Sequence, residues 1–169
     1  PQQRSSAASD VYKRQKMTPP ADKTIWSATV NKKSVELLIN SNAVLLDVLR
    51  DQVGTLGVKR GCDLGTCGCC TVMIDGEPRL SCLCLAGQVS KTSITTVEGL
   101  ADGAHLAPIQ ACFAKYGGSQ CGFCTPGFLV ASQALLVDNP SPTDQEIAEA
   151  IEGNPVSYTH LRAHETYTY

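Results

Sequence analysis

The sequence predicts an α+β fold, in which a β-rich half extends to about residue 99 and a helical half follows. Short runs rich in β-branched residues precede that point, whereas capped apolar runs with helical spacing come after it. The 169 residues are 43% hydrophobic and 18% charged, a composition typical of a globular protein. With a net charge of −2 and no basic segment, the composition does not favour nucleic-acid binding. Since no apolar run is long enough to span a membrane and no secretory signal is visible, we expect a cytoplasmic protein.

The first elements are a hairpin and a short helix. Ile25–Asn31 and Ser34–Asn40 are strands separated by a short polar break, which predicts a β-hairpin. Asn42 is a suitable N-cap for the helix, and Gly54 and Gly57 are expected to end it. The apolar side of this helix comprises Leu45, Leu46, Val48 and Leu49. The helix is therefore expected to lie across the sheet with this side inward.

Three more strand segments complete the predicted sheet. Thr71–Asp75 is a strand that turns at Gly76-Glu77, and Arg79–Ser81 begins its return. Ser93–Val97 is the last strand segment before the pattern changes. Together these segments predict a small mixed sheet with one helix across it.

Helix signals dominate after residue 99. Pro108–Tyr116 is a candidate helix closed by a pair of glycines. Thr125 is expected to cap a second helix, whose apolar run extends to Val137. Thr143 and Glu146 have the spacing of a capping box ahead of a third helix.

The two ends of the sequence do not resemble the rest. Asp10–Gln15 can be encoded by a DNA string whose reverse complement, read in a shifted frame, encodes Val156–His160. Two unrelated protein segments rarely share such a relation, and both ends resemble translated adapters of a transposase-type sequencing library. We therefore expect residues 1–16 and 155–169 to be non-native tails and leave them out of the fold argument.

The nine cysteines are the main anomaly of the composition. A disulfide framework fits poorly, because their number is odd and they occur in tight clusters. Cys62, Cys67 and Cys70 have the C-x₄-C-x₂-C spacing of plant-type ferredoxins, and Cys82 follows after eleven residues. The pattern predicts a [2Fe–2S] cluster held by these four residues. Zinc is the alternative, although structural zinc sites usually combine two C-x₂-C pairs.

Spacing alone leaves some of the cysteine assignments open. Cys69 competes with Cys70, and Cys84 competes with Cys82, for a position as ligand. We interpret Cys69 and Cys84 as small buried apolar residues, the usual role of a free cysteine. Cys112, on the candidate helix Pro108–Tyr116, is also expected to lie in the core.

A second cysteine pair, Cys121 and Cys124, has C-x₂-C spacing. Such a pair can be a dithiol redox site or half of a metal site. Its position among helices disfavours a thioredoxin-like site, which would follow a strand in a βαβ pattern. Two thiolates cannot enclose a cluster, so the pair requires two further ligands, and no cysteine follows Cys124.

These motifs together resemble the small iron–sulfur subunit of the molybdenum hydroxylases. That family includes xanthine dehydrogenase, aldehyde oxidoreductase and aerobic carbon monoxide dehydrogenase. The resemblance extends over Lys23 to Asn154. The residues that carry it are Gly61-Cys62, Gly65, Cys67-Gly68, Cys70-Thr71-Val72, Asp75-Gly76, Ser81-Cys82-Leu83, Gln120–Gly127 and Asn139–Thr143. Alanine stands at the position of Cys69 in many relatives, which supports Cys69 as a residue that binds no iron.

The resemblance implies a β-grasp, ferredoxin-like [2Fe–2S] domain over residues 23–99. An all-α helical bundle domain over residues 100–154 would follow and bind a second [2Fe–2S] cluster. Cys121 and Cys124 match the first pair of its ligands. In the family a C-R-C pair, which supplies the other two ligands, follows a Gly-Asn like Gly153-Asn154. No such pair follows Asn154 in this sequence, so the second domain is expected to be incomplete here. Gln120 matches a position that contacts the pterin of the molybdenum cofactor.

The implied function is electron transfer within an oxidoreductase, with no catalytic residue in this chain. A large molybdopterin-binding partner subunit would oxidise the substrate, and electrons would pass through the clusters to an FAD-binding subunit or another acceptor. The alternative is a stand-alone ferredoxin-like carrier. The pair formed by Cys121 and Cys124 disfavours this alternative, because a carrier with one cluster has no use for it.

Overall fold

The computed structural model describes residues 22–62 and 64–154. The predicted non-native tails, 1–16 and 155–169, lie outside the described residues. Five strands form one mixed sheet in the order β2-β1-β5-β3-β4, which confirms the predicted α+β class and the mixed sheet. The strands are β1 (Lys23–Val30), β2 (Lys33–Asn40), β3 (Thr71–Ile74), β4 (Glu77–Leu80) and β5 (Ser93–Thr95). Their ends differ from the predicted ones by one or two residues, as is usual for element boundaries.

The predicted hairpin is confirmed. β1 and β2 pair antiparallel along their whole length, from Lys23 opposite Asn40 to Val30 opposite Lys33. The turn residues Asn31 and Lys32 have φ values of 49° and 67°. Two consecutive residues in the left-handed region match the right-handed twist of the strands, which is why such turns suit two-residue hairpins.

The short helix crosses the sheet with its predicted apolar side inward. It begins as α1 (Leu45–Asp47) and continues as a π-helical stretch (Val48–Val53). Its four apolar residues are all buried. The predicted N-cap Asn42 is wrong, since Val44 is the N-cap and makes no side-chain cap. The backbone supplies the partner instead, because the Leu45 N–H donates to the Cys84 carbonyl at 2.8 Å.

Gly54 ends this helix with a φ of 86°, which gives a stability prediction. Gly54→Ala is expected to lower the free energy of unfolding by about 1 kcal/mol, because a Cβ is unfavourable in the left-handed region. Gly87→Ala is the matched control, since an added methyl group would meet open space at both glycines and only Gly54 has a positive φ. Urea denaturation of both variants measures the difference, and equal stabilities would contradict the backbone argument.

Three helices follow the sheet: α2 (Pro108–Lys115), α3 (Thr125–Asp138) and α4 (Asp144–Ile151). The capping box of Thr143 and Glu146 is confirmed at the start of α4. The predicted cap Thr125 is wrong, because Cys124 is the N-cap of α3. The Thr125 hydroxyl instead donates to the Ser119 hydroxyl at 3.1 Å.

The helices lie at the β3–β4 side of the sheet, where α3 makes the contact with the strands. α3 packs against β3 and β4 and also contacts α2 and α4. The prediction that Cys112 lies in the core is wrong, since α2 has no buried residue and Cys112 is exposed. Within the described residues, no helix is both long and apolar enough to cross a membrane.

Candidate metal centre

The first cysteine motif occupies the loop between the π-helical stretch and β3. Two backbone features fix this loop. The Lys59 N–H donates to the Cys69 carbonyl at 3.1 Å and so joins the two sides of the loop. The loop is also continuous with the sheet, because β3 begins directly after Cys70. Gly65 and Gly68 have φ values of 71° and 67°, a left-handed conformation that glycine adopts without steric cost and that the turns of this loop require.

Ser81 brings the fourth predicted ligand to the loop. Its N–H and its hydroxyl both donate to the Cys70 carbonyl, at 3.2 Å and 2.7 Å. Ser81 is completely buried, so these two hydrogen bonds are shielded from water. They hold the end of β4 beside the loop, and Cys82 therefore lies next to Cys70 although eleven residues separate them in sequence.

The groups around the Cys82 thiol raise its pKa. Burial raises the pKa of Cys82 to about 12, together with a hydrogen bond to the Cys70 thiol and electrostatic repulsion from Cys70, Cys62 and Cys67. All three loop cysteines therefore lie within electrostatic range of Cys82. The Ser81 hydrogen bonds thus hold the Cys82 segment beside Cys70, and the assignment of all four residues as ligands stays a prediction.

Cys62 has the opposite electrostatic environment. The Leu64 N–H, the Cys67 thiol and the Thr66 N–H hydrogen-bond its sulfur and lower the pKa of Cys62 to about 6. The Thr66 hydroxyl also donates to this sulfur at 3.8 Å. Backbone N–H groups that point at a sulfur stabilise its negative charge whether or not a metal is bound.

Alkylation of the metal-free chain tests this environment. Because iodoacetamide reacts with the thiolate, the rate at Cys62 is expected to be half-maximal near pH 6 and to level off at higher pH. Site-resolved mass spectrometry measures the rate. In the same chain unfolded in urea, the midpoint should move to about 8.5, the ordinary value for cysteine. A folded profile identical to the unfolded one would contradict the hydrogen-bonded environment.

The donor set fits an iron–sulfur cluster. Three loop thiols lie within electrostatic range of Cys82, and the N–H groups of Leu64, Thr66 and Cys67 stabilise sulfur charge at Cys62, whereas mutual repulsion disfavours ionising Cys82. Positive metal charge removes that repulsion, which is how thiolate sites couple metal binding to deprotonation. Among residues 22–62 and 64–154, no three cysteine, histidine or acidic side chains form a group suited to one metal ion.

The two competing cysteines have different surroundings. Cys69 is completely buried and packs with Cys67, Cys124 and Phe128. Burial and the neighbouring thiols of Cys67, Cys124 and Cys70 raise the pKa of Cys69 to about 12. Cys84 is half-buried, and burial raises its pKa. Cys69 is buried as expected, but the predicted ligands Cys67 and Cys70 are buried too, so its exclusion as a ligand stays a prediction; all nine cysteines are free thiols.

The second cysteine pair is divided between surface and interior. Cys124 is buried at the start of α3, beside Cys67 and Cys69, whereas Cys121 and Gln120 are exposed. The two cysteine motifs are therefore in contact through Cys124. Sequence reasoning missed this contact, and it also missed the buried Asn154, since neither leaves a periodic signal.

Family models match both halves of the chain. A 2Fe-2S iron-sulfur cluster binding domain matches residues 10–114, and a [2Fe-2S] binding domain matches residues 96–162. The nicotinate dehydrogenase small FeS subunit of Eubacterium barkeri is 39% identical over 149 residues, which are 88% of this chain and 95% of that protein. The nicotine 6-hydroxylase small subunit of Paenarthrobacter nicotinovorans is 44% identical, over 80% of this chain and 81% of its own length.

Solved structures agree with these relatives. Quinoline 2-oxidoreductase from Pseudomonas putida 86 superposes with a TM-score of 0.76 at 42% identity, over 79% of this chain and 83% of that chain. The aldehyde oxidoreductase from Desulfovibrio desulfuricans gives a TM-score of 0.74 at 38% identity, over 77% of this chain and 15% of that chain. In the second case the match is to a small part of a much longer chain.

The fold and the converging thiols define an iron–sulfur protein that transfers electrons within an oxidoreductase. Its cofactor is of the [2Fe–2S] type that both matching domains bind. The chain belongs to the family of small iron–sulfur subunits of the molybdenum hydroxylases.

Proposed function

We propose that this chain relays electrons, one at a time, from a partner subunit that holds a molybdenum cofactor to an FAD-binding subunit or another acceptor. Cys62, Cys67, Cys70 and Cys82 would hold the first [2Fe–2S] cluster of the relay. The observation that carries this proposal is that Ser81 bonds the Cys70 carbonyl and so holds Cys82, in the turn after β4, within electrostatic range of the three loop thiols.

The chain's own residues provide the environment of that site. A bound cluster would supply one-electron redox chemistry, which no side chain here can perform. The N–H groups of Leu64 and Thr66 stabilise sulfur charge at Cys62, which favours the reduced, more negative state. Cys67 and Cys70 are buried, so water has little access to the inner side of the site. Ser81 fixes the Cys82 segment and limits rearrangement of the ligands during electron transfer.

We further propose that Cys121 and Cys124 are two of the four ligands of a second [2Fe–2S] cluster. The contact of Cys124 with Cys67 and Cys69 supports it, because electron transfer between clusters requires short distances. Asn154, after which the family has its C-R-C pair, is buried against Gly68 of the same loop. A chain continuing from Asn154 would thus start close to Cys124.

The finer assignments depend on the family resemblance. We propose a ferredoxin-like domain over 23–99 and a cluster-binding helical domain over 100–154, with tails at 1–16 and 155–169 that are foreign to both. Gln120 is exposed beside the second pair, which is compatible with a contact to the pterin of a partner's cofactor. We also propose a cytoplasmic location, where nine free thiols would remain reduced.

Iron analysis of the full chain, expressed alone and reconstituted anaerobically, tests the ligand count. We expect about two irons and two sulfides per chain, with absorbance and electron paramagnetic resonance (EPR) signals of one [2Fe–2S] centre, instead of about four irons. A value near four would show that the second site is complete here, and absence of iron would refute the first site.

Co-expression with the neighbouring genes tests the relay. Co-purification with larger molybdenum and flavin subunits is expected, and reduction of the cluster by the substrate of that complex would demonstrate electron transfer. A stable monomer that exchanges electrons with a soluble reductase and binds no larger subunit would favour the stand-alone carrier.

A further inference from the structure

The end of α4, the start of β3 and the first turn of α3 meet at the peptide carbonyl of Gly68, in the middle of the first cysteine loop. Asn154 follows the C-terminus of α4, and its Nδ2 donates to the Gly68 carbonyl at 3.0 Å. The same carbonyl accepts the Thr71 N–H at 3.0 Å and the Thr71 hydroxyl at 2.6 Å. Gly68 lies between Cys67 and Cys69, so this carbonyl is a fixed point of the loop.

Close packing surrounds these hydrogen bonds. A Cβ at Gly68 would overlap the Asn154 side chain, and a Cβ at Gly127 would overlap the Gly68 carbonyl. Gly127 lies in the first turn of α3, three residues after Cys124. The two glycines thus allow the loop and the start of α3 to approach at backbone distance, and Asn154 fills the remaining space.

The Asn154 side chain is well placed to act as a rigid donor. Asn154 is only 4% exposed, so its hydrogen bond does not compete with water. Its own N–H donates to the Ile151 carbonyl at 2.9 Å, which fixes its backbone to the end of α4. A buried amide held at both ends restricts movement of the carbonyl that it contacts.

We propose that Asn154 is a positioning residue, which holds the Cys67–Cys69 segment of the first site against the first turn of α3, where Cys124 lies. The role of this contact in electron transfer rests on the proposed function, in which both cysteine motifs hold clusters of one relay. The contact itself is a property of the chain alone. Asn154 would thus keep the two sites at a constant separation and keep Cys69 and Cys124 closed to solvent.

Thiol alkylation in the metal-free full chain tests the contact directly. Asn154→Ala and the near-isosteric Asn154→Asp are expected to raise the alkylation rates of Cys69 and Cys124 about tenfold at pH 8, the effect of one lost buried hydrogen bond. Cys70, buried in the sheet core, reports global unfolding and should not change. Asn139→Ala is the matched control, because Asn139 bonds Glu146 and Ser141 away from the loop.

The outcomes separate a positioning role from a merely structural one. Wild-type rates in both Asn154 variants would overturn the proposal. It would also be overturned if Asn154→Asp behaved as wild type while Asn154→Ala did not, because packing alone would then suffice. An equal rise at Cys70 would indicate global destabilisation and would overturn it too.

A second measurement uses the iron-loaded chain. Asn154→Asp should lose iron to a chelator about tenfold faster than wild type and should change the EPR spectrum of the first cluster, while Asn139→Ala does neither. If the wild-type chain binds no iron, the proposed function fails, and the alkylation experiment still decides the role of Asn154. If the wild-type chain binds iron and Asn154→Asp has the same spectrum and the same rate of iron loss, the positioning role is refuted.

Discussion

Cys82→Ala is expected to abolish the [2Fe–2S] cluster, so that iron falls from about two atoms per reconstituted chain to less than about 0.2. The other three thiols come from one loop, and Cys82 alone is supplied by the 3₁₀ turn Ser81–Leu83 that follows β4. Without it, the loop cannot enclose two irons with four thiolates. Iron and sulfide analysis, together with the visible spectrum, measures the loss.

Cys84→Ala is the control for that experiment. Cys84 lies two residues further along, is likewise half-buried, and has a pKa raised by burial as Cys82 does. The Cys84 variant is expected to keep about two irons per chain. If iron were lost in the Cys84 variant and retained in the Cys82 variant, Cys84 would be the fourth ligand and the assignment from spacing would be wrong.

Ile39→Ala is expected to lower the free energy of unfolding by about 2 to 5 kcal/mol, a large part of the stability of a small protein. Ile39 lies on β2 and is only 1% exposed, in the core that also contains Trp26 and Leu46. Truncation removes buried methyl groups and leaves a cavity that the surrounding side chains fill only partly. Chemical denaturation monitored by circular dichroism measures the change.

The same hairpin provides a matched control in Ile25→Ala. Ile25 lies on β1 and is 69% exposed, and the cross-strand neighbour opposite it is Leu38. Its truncation is expected to change stability by less than about 1 kcal/mol, since little apolar area leaves contact with the protein. Equal losses in the two variants would show that the outer face of the hairpin is covered in solution.

Local sequence is sufficient to predict most elements. The enrichment in β-branched residues on either side of a polar break locates both hairpin strands, and the side-chain chemistry of Thr143 and Glu146 locates the start of α4. Both signals depend on neighbours within a few residues along the chain, so no knowledge of the fold is needed. The cysteine spacing predicts the convergence of the first motif for the same reason, because one loop supplies three of the thiols.

Two of the three errors, the cap Asn42 and the burial of Cys112, depend on contacts that are distant in sequence. Asn42 is the expected cap of α1, but the carbonyl of Cys84, on a distant segment of the chain, satisfies the helix instead. Cys112 is expected in the core, but no residue of α2 is buried and Cys112 is exposed. For Asn42, a segment distant in sequence replaces the local cap. For Cys112, no distant segment among the described residues covers the thiol, so its apolar character does not lead to burial.

The sequence by itself determined the α+β class, the hairpin and the helix boundaries to within a few residues, and it places Cys62, Cys67 and Cys70 on one short loop. These properties follow from backbone periodicity and from short loop lengths, which act over a few residues. Only the tertiary structure decided how Cys82 reaches that loop through Ser81, and why Cys69 lies against Cys124. Such contacts depend on how the helices pack on the sheet, and packing joins residues whose separation along the chain carries no periodic signal.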